Sequence, residues 1–156
     1  MPPYRNFLLM VASSAVLMFL LTYLNTYEPR HIWFSWTRLF MTMIMAGSMA
    51  LVMLFFMRHM YRARGANILI ITTSIGLILS GLWLVRSQTT IGDMAWMKAM
   101  IPHHSIAILT SERAQLKDPR VRELADGIIA TQRREISEME GLIEDLRARK
   151  PTSEAP

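Results

Sequence analysis

Three long apolar runs occupy the first half of the chain. Residues 6–27, 39–57 and 65–85 contain no charged side chain. At about 1.5 Å per residue, each run is long enough as a helix to cross a hydrocarbon core of about 30 Å. The pattern therefore predicts three transmembrane helices. The first is expected to be retained, because its apolar run is longer than that of a cleaved signal peptide.

The pattern becomes amphipathic after residue 88. One helix is predicted to begin directly after Thr90, because Thr90 and Asp93 resemble a capping box, and to run to about Lys117. Asp118-Pro119 then predicts a new helix, because an Asp N-cap is followed by proline at the first helical position. The second helix carries a predicted heptad seam of Val121, Ala125, Ile128, Gln132, Glu135, Met139, Leu142 and Leu146.

These elements predict an all-α protein in which three transmembrane helices precede an extracytoplasmic antiparallel helical hairpin. Residues 1–87 form the predicted transmembrane region, residues 88–149 the hairpin, and residues 150–156 a disordered tail. Because two helices leave much of an apolar seam in water, we expect a homodimer or a higher homo-oligomer. The simplest such assembly is a four-helix bundle.

The basic residues suggest an orientation and a partner. Residues 58–65 contain three arginines, whereas residues 28–38 contain two arginines and a glutamate. The positive-inside rule then predicts a cytoplasmic N-terminus and a hairpin outside a bacterial inner membrane, periplasmic in a Gram-negative host. The net charge of +5 is concentrated near the membrane boundaries and on one helix, so we expect membrane lipid rather than nucleic acid as the counter-charge.

Two further features have a structural explanation that we favour over a metal-binding one. His31 lies near Trp33 and Trp36, so an interfacial or solvated histidine is expected rather than a metal ligand. Small residues such as Gly47 and Ala50 allow close helix packing. For the methionines beside them we favour packing over a relay that passes copper along the helix, and the role of these methionines stays open. These methionines, spaced by four, are Met41, Met45, Met49, Met53 and Met57.

The stretch from Met97 to His104 predicts a soft-metal site. It contains two histidines and two methionines within about two helical turns, and Met97, Met100 and His104 share one stripe with Asp93. His103 flanks that stripe. The chain has no cysteine and 14 methionines, so any soft-metal site must use thioethers and imidazoles. This donor set favours Cu(I) or Ag(I), with zinc as an alternative through the histidines.

A hairpin centred near Asp118 would bring further polar groups to this stripe. It places His104 opposite Gln132, Met100 near Glu135, and Met97 opposite Met139. Glu135, Gln132 and Asp93 are either ligands or groups that orient the imidazoles. The full set of candidate metal ligands is His103, His104, Met100, Met97, Met139, Glu135, Gln132 and Asp93.

Two other functions stay open. A metal-free or pH-responsive membrane scaffold would use the titration of the paired histidines near Glu135. A ferritin-like dinuclear metal oxidase, which would hold iron, requires Glu-x-x-His motifs on the helices of the bundle, and neither predicted helix of the hairpin contains one. An enzyme is therefore the less favoured interpretation.

A family resemblance adds to this interpretation. Met100-Ile101-Pro102-His103-His104, Asp118-Pro119 and the run Gln132-x-x-Glu135-Ile136-x-x-Met139 resemble the bacterial "domain of unknown function 305" family over about residues 92–146. The three predicted spans resemble a membrane-anchored subgroup. The resemblance implies a ferritin-like helical fold and, for some members, copper or silver binding and tolerance. Members commonly carry two such hairpins whereas this chain has one, which supports dimerisation, and a further family methionine corresponds here to Thr110.

Overall fold

The computed structural model describes residues 2–149, so the predicted disordered tail at 150–156 lies outside the described residues. No strand occurs between residues 2 and 149, which confirms the all-α prediction. The elements in chain order are α1 (Pro2–Leu21), a short 3-10 helix (Pro29–His31), α2 (Trp36–Phe56), α3 (Arg64–Ser87), α4 (Asp93–Arg113) and α5 (Pro119–Ala148).

Three helices are long and apolar enough to cross a membrane, as the sequence predicts. These segments are Tyr4–Leu21, Trp36–Phe56 and Arg64–Ser87. The first helix ends at Leu21, before the end of the apolar run. The Arg38 guanidinium donates a hydrogen bond to the carbonyl of Thr22, directly after the helix. This contact satisfies a carbonyl that would otherwise lack a partner at the helix end.

The first compact unit contains residues 2–22 and 36–90. Its helices α2 and α3 approach closely at two glycines: a Cβ on Gly47 would lie 2.7 Å from the carbonyl oxygen of Ser74, and one on Gly81 would lie 2.9 Å from that of Phe40. Any side chain at either position would collide with backbone. The glycines therefore permit this packing, as the sequence predicts for Gly47.

A small apolar cluster closes one end of this unit. It is formed by the buried residues Phe7, Ala50, Leu54 and Tyr61. Met53 and Met57 pack against the cluster, whereas Met41 is 51% exposed. The C-terminal members of the methionine row thus serve in packing.

The second unit contains residues 23–35 and 91–149, and its main feature is the hairpin formed by α4 and α5. Helix α5 begins as predicted: the Asp118 side chain accepts a hydrogen bond of 2.9 Å from the backbone N–H of Arg120. Helix α4 differs at both ends. Its N-cap is Gly92, which provides no side-chain hydrogen bond, so the predicted capping box is wrong. The helix ends at Arg113 because the chain is already extended at Ala114.

The buried seam of α5 lies partly elsewhere than predicted. Ala125, Met139 and the half-buried Gln132 and Leu146 belong to it, whereas Val121, Ile128 and Leu142 are exposed. The additional seam members are Ile129, Ile136 and Ile143. The seam is rotated because residues 23–35, which we call the covering segment, pack against one side of the hairpin and bury that side.

Candidate metal centre

The hairpin core fixes the positions of the candidate ligands. Met97, Ile101 and Ile108 of α4 form one buried cluster with residues of α5, which are Ile136, Met139 and Ile143. Met97 is 5% exposed and Met139 is 6% exposed. These two predicted ligands are brought together as sequence analysis expected. Both are surrounded by apolar core, so packing accounts for a large part of their role.

His104 and Glu135 form the main polar contact between the two helices. The Nε2 atom of His104 lies 2.9 Å from Oε2 of Glu135. The histidine side chain is 12% exposed and the carboxylate 41% exposed. The sequence-based register placed His104 opposite Gln132 and placed Glu135 near the paired histidines. The contact observed is with Glu135, three residues further along α5.

The second ring nitrogen of His104 is the distinctive atom of the site. Nδ1 is buried and has no hydrogen-bond partner among the described residues. A neutral imidazole carries one N–H and one lone pair. If Nε2 donates its hydrogen to the Glu135 carboxylate, Nδ1 presents a free lone pair. The contact has the form of a carboxylate–histidine pair, which orients an imidazole for metal binding.

Two further donors lie beside His104. The rings of His103 and His104 are 5.9 Å apart between centroids and inclined by 64°. His103 is exposed, whereas Met100 is half-buried and packs against the hairpin core. The candidate donors around His104 are therefore the imidazole of His103, the carboxylate of Glu135 and the thioether of Met100, which lies one helical turn before it.

The remaining predicted ligands have weaker connections to this centre. Gln132 is half-buried in the seam. Asp93 is exposed in the first turn of α4, where its negative charge interacts favourably with the positive end of the helix dipole. Between residues 2 and 149, His, Cys, Asp and Glu side chains form no group of three or more that could hold a metal ion.

A buried polar contact that sequence analysis missed lies on the other side of the hairpin. His31 is 2% exposed, so the expectation of a solvated histidine was wrong. Its Nδ1 lies 2.9 Å from the hydroxyl oxygen of Ser105, and the backbone N–H of Tyr27 donates to the same oxygen at 2.7 Å. Burial lowers the pKa of His31 below its ordinary value. No local pattern reveals this contact, because its partners are 74 residues apart in sequence.

Aromatic residues of the covering segment pack on basic residues of the hairpin. Lys98 and Arg147 lie over the ring of Trp33 at 5.7 and 5.2 Å, and Arg133 lies 5.9 Å from the centroid of Tyr27. These cation–π contacts each contribute roughly 0.5–1 kcal/mol at exposed positions. We call this side of the hairpin the covered face. A cavity of about 310 Å³ also adjoins it and is lined in part by Tyr27, His31 and Arg133.

Fold and site together define a class: an all-helical protein with three helices of membrane-spanning character and a hairpin whose helices share a histidine–carboxylate contact. Comparison with known sequences refines this description. The family model for "Domain of unknown function (DUF305)" matches residues 93–155. "Uncharacterized protein L153" of Acanthamoeba polyphaga mimivirus is 35% identical over 108 residues, which cover 68% of this chain and 69% of that protein. The chain therefore belongs to the DUF305 family. No solved structure matches it significantly.

Proposed function

We propose that this protein is a membrane-anchored metal-binding protein that holds Cu(I) or Ag(I) in metal homeostasis or tolerance. The observation that carries the proposal is the unpartnered, buried Nδ1 of His104, on a ring whose Nε2 is held by Glu135. A buried nitrogen without a partner is costly in a folded protein, by about 1–3 kcal/mol. A metal ion would remove that penalty by accepting the lone pair.

The chemistry of the neighbouring donors supports a soft, reduced ion. Met100 and His103 lie near His104, and thioether and imidazole together favour Cu(I) or Ag(I) over hard cations. Zinc and iron, the alternatives in the sequence analysis, require more nitrogen or carboxylate ligands than one chain brings together in residues 2–149. When bound, the soft ion supplies a reversible linkage between sulfur and nitrogen donors.

Each candidate residue has its own role in this proposal. His104 and Met100 are the principal donors, His103 is an exposed donor that captures the ion, and Glu135 orients His104. Met97 and Met139 provide the apolar, polarisable floor beneath the donors. Gln132, half-buried in the seam, and Asp93, exposed in the first turn of α4, stay in the proposal as minor polar contributors.

The membrane location is part of the same proposal. The excess of arginine in residues 58–65 favours a cytoplasmic position for the turn between α2 and α3. The hairpin would then lie outside the cytoplasm, in the periplasm if the host is a Gram-negative bacterium. Such a position suits a protein that intercepts copper or silver before it enters the cell.

The test is a competition titration of the full-length protein, purified in detergent without a polyhistidine tag. Cu(I) or Ag(I) is partitioned between the protein and a chelator of known affinity. We expect the double variant His103→Ala/His104→Ala to lose at least about tenfold in affinity, equivalent to about 1.4 kcal/mol. His59→Ala, which removes an exposed histidine of the α2–α3 turn, is the matched control. Equal affinities for all three proteins would refute the proposal.

A second candidate is a metal-free membrane scaffold that responds to pH. The observation in its favour is the contact between His104 and Glu135, which joins α4 to α5 without any metal. A histidine beside a carboxylate is the type of contact that pH-responsive proteins use. Elemental analysis of protein purified from copper-supplemented cells separates the two functions, because only the first predicts bound metal.

A further inference from the structure

The hairpin has one side that the described residues of the second unit leave exposed. On α5, Leu124, Ile128 and Leu142 are 64%, 38% and 47% exposed, and on α4 Trp96 is 50% exposed. At 100° per residue, the three α5 residues lie within an arc of about 40° that also contains Glu135. We call this side the open face. Its residues are Trp96, Met100, His104, Ala107, Leu124, Ile128, Glu135 and Leu142.

The charge distribution distinguishes the open face from the rest of the hairpin. Lys98, Arg133 and Arg147 project from the covered face, where they lie over Trp33 and Tyr27. No lysine or arginine of α4 or α5 falls within the helical arc of the open face, whose charged members are Glu135 and the adjoining Asp93. A surface of apolar and acidic residues does not suit anionic lipid headgroups, which attract basic residues.

The size of the open face is sufficient for a specific contact. Helix α4 has 21 residues. It is therefore about 30 Å long, and two adjacent helices are roughly 20 Å wide, which gives on the order of 600 Å². Two such faces together reach about 1,200 Å², the lower end of stable protein interfaces. Large exposed apolar patches on a soluble surface are themselves characteristic of interaction sites.

From these observations we propose that a second copy of this chain docks on the open face, forming a symmetric pair of hairpins. In a two-fold arrangement the same patch is used by both copies, and four helices surround one apolar core. This core would contain Ile128 and Leu142 from each copy. The covered face would remain on the outside, because the covering segment already occupies it.

Docking would complete the metal centre, and this part of the inference rests on the proposed function. Glu135 is 41% exposed and lies on the open face, so a second copy would shield its contact with His104 from water. It would also bring a second set of Met100 and His104 to the same interface. The paired site would thus acquire the donors that residues 2–149 of a single chain lack.

Single-cysteine cross-linking tests the interface without metal. The chain contains no cysteine, so each introduced thiol is unique. Leu124→Cys, Ile128→Cys and Leu142→Cys sample the open face at three heights, and Ser137→Cys places an exposed thiol elsewhere on α5. Full-length variants in native membranes are treated with a short bismaleimide. We expect a cross-linked dimer from at least one open-face variant and much less from Ser137→Cys.

Two outcomes would overturn the interface. Equal cross-linking at all four positions would indicate random collisions. Absence of cross-linking from every open-face position, with monomers in detergent by light scattering, would show that some other component, such as lipid, covers the face. Because the experiment contains no metal, its result is independent of whether the protein binds copper.

A charge placed in the interface tests the link to the metal centre. Ile128→Glu should weaken self-association and lower the affinity for Ag(I) by about tenfold or more, although residue 128 has no donor atom in the wild type. Ser137→Glu adds the same charge outside the open face and should change neither property. If Ile128→Glu abolishes the dimer but leaves the Ag(I) affinity unchanged, one chain holds a complete site and the shared centre is refuted. If wild-type protein dimerises but binds no Ag(I), the proposed function fails and the interface stands.

Discussion

Ser105→Ala offers the sharpest test of how the second unit is held together. The Ser105 hydroxyl is fully buried and contacts both the backbone N–H of Tyr27, at 2.7 Å, and Nδ1 of His31, at 2.9 Å. Removing it leaves the buried Nδ1 of His31 and the part-buried backbone N–H of Tyr27 without this partner.

The magnitude follows from the number of groups left unpaired. Each buried donor or acceptor without a partner costs about 1–3 kcal/mol. Water entering from the adjoining cavity of about 310 Å³ would partly replace the lost hydrogen bonds, which favours the lower end of the range. We expect the covering segment to dock less stably by about 2–4 kcal/mol, which raises its opening equilibrium by about 30-fold to nearly a thousandfold.

Hydrogen exchange followed by mass spectrometry measures this opening directly. Amides of residues 23–35 should exchange faster in Ser105→Ala, and trypsin should cleave faster at Arg30. Ser137→Ala, an exposed serine on α5, is the control and should leave both rates unchanged. Unchanged exchange in residues 23–35 of Ser105→Ala would refute the conclusion that this hydroxyl anchors the segment.

Three other predictions follow from the packing and the site. Gly81→Val should lower thermal stability in detergent by about 1–3 kcal/mol through overpacking, whereas Gly76→Val on the same helix, which meets no neighbour within 4 Å, should not. Met100→Leu should weaken Ag(I) binding about tenfold. Met97→Leu, a core replacement that costs under about 1.5 kcal/mol of stability, should leave the Ag(I) affinity nearly unchanged. Equal losses of affinity in the two variants would contradict the proposal that Met100 is a metal donor and Met97 a core residue. Because burial lowers the pKa of His31, the neutral histidine contributes fully to stability above about pH 6.5, and this contribution is lost as the pH falls below that value. His31→Gln should make the free energy of unfolding depend less on pH, which denaturation measured above and below about pH 6.5 would show.

Most of the helices could be predicted from the sequence, because the patterns that indicate a helix and its ends involve neighbouring residues. Long uncharged runs predict the three membrane-type helices, and the Asp118-Pro119 pair predicts the start of α5, where Asp118 does cap the helix. The start of α4 was harder to predict. Thr90 and Asp93 match a capping motif, but Gly92 takes the N-cap position, since glycine is unfavourable inside a helix and adopts the extended cap conformation readily.

The candidate metal centre could be predicted only in part, because the contacts between α4 and α5 depend on how the two helices are aligned. The pairing of Met97 with Met139 in one cluster could be inferred from a shared apolar stripe. The proximity of the histidines to Glu135 was also expected, whereas the particular contact between Nε2 of His104 and Oε2 of Glu135 depends on side-chain rotamers, which spacing alone does not fix. The burial of His31 depends on tertiary contacts with α4, which override the interfacial character of its neighbours.

The second unit is assembled from two stretches of chain separated by α2 and α3. During synthesis residues 23–35 leave the ribosome well before Ser105 exists, so they must wait while two membrane-type helices are made and placed. Closure of this 74-residue separation is thus a late event in the folding of the second unit. A fragment beginning at residue 91 would lack its covering segment and would leave Ile108 and Ile136 less protected, so the hairpin is expected to be fully ordered only when residues 23–35 accompany it.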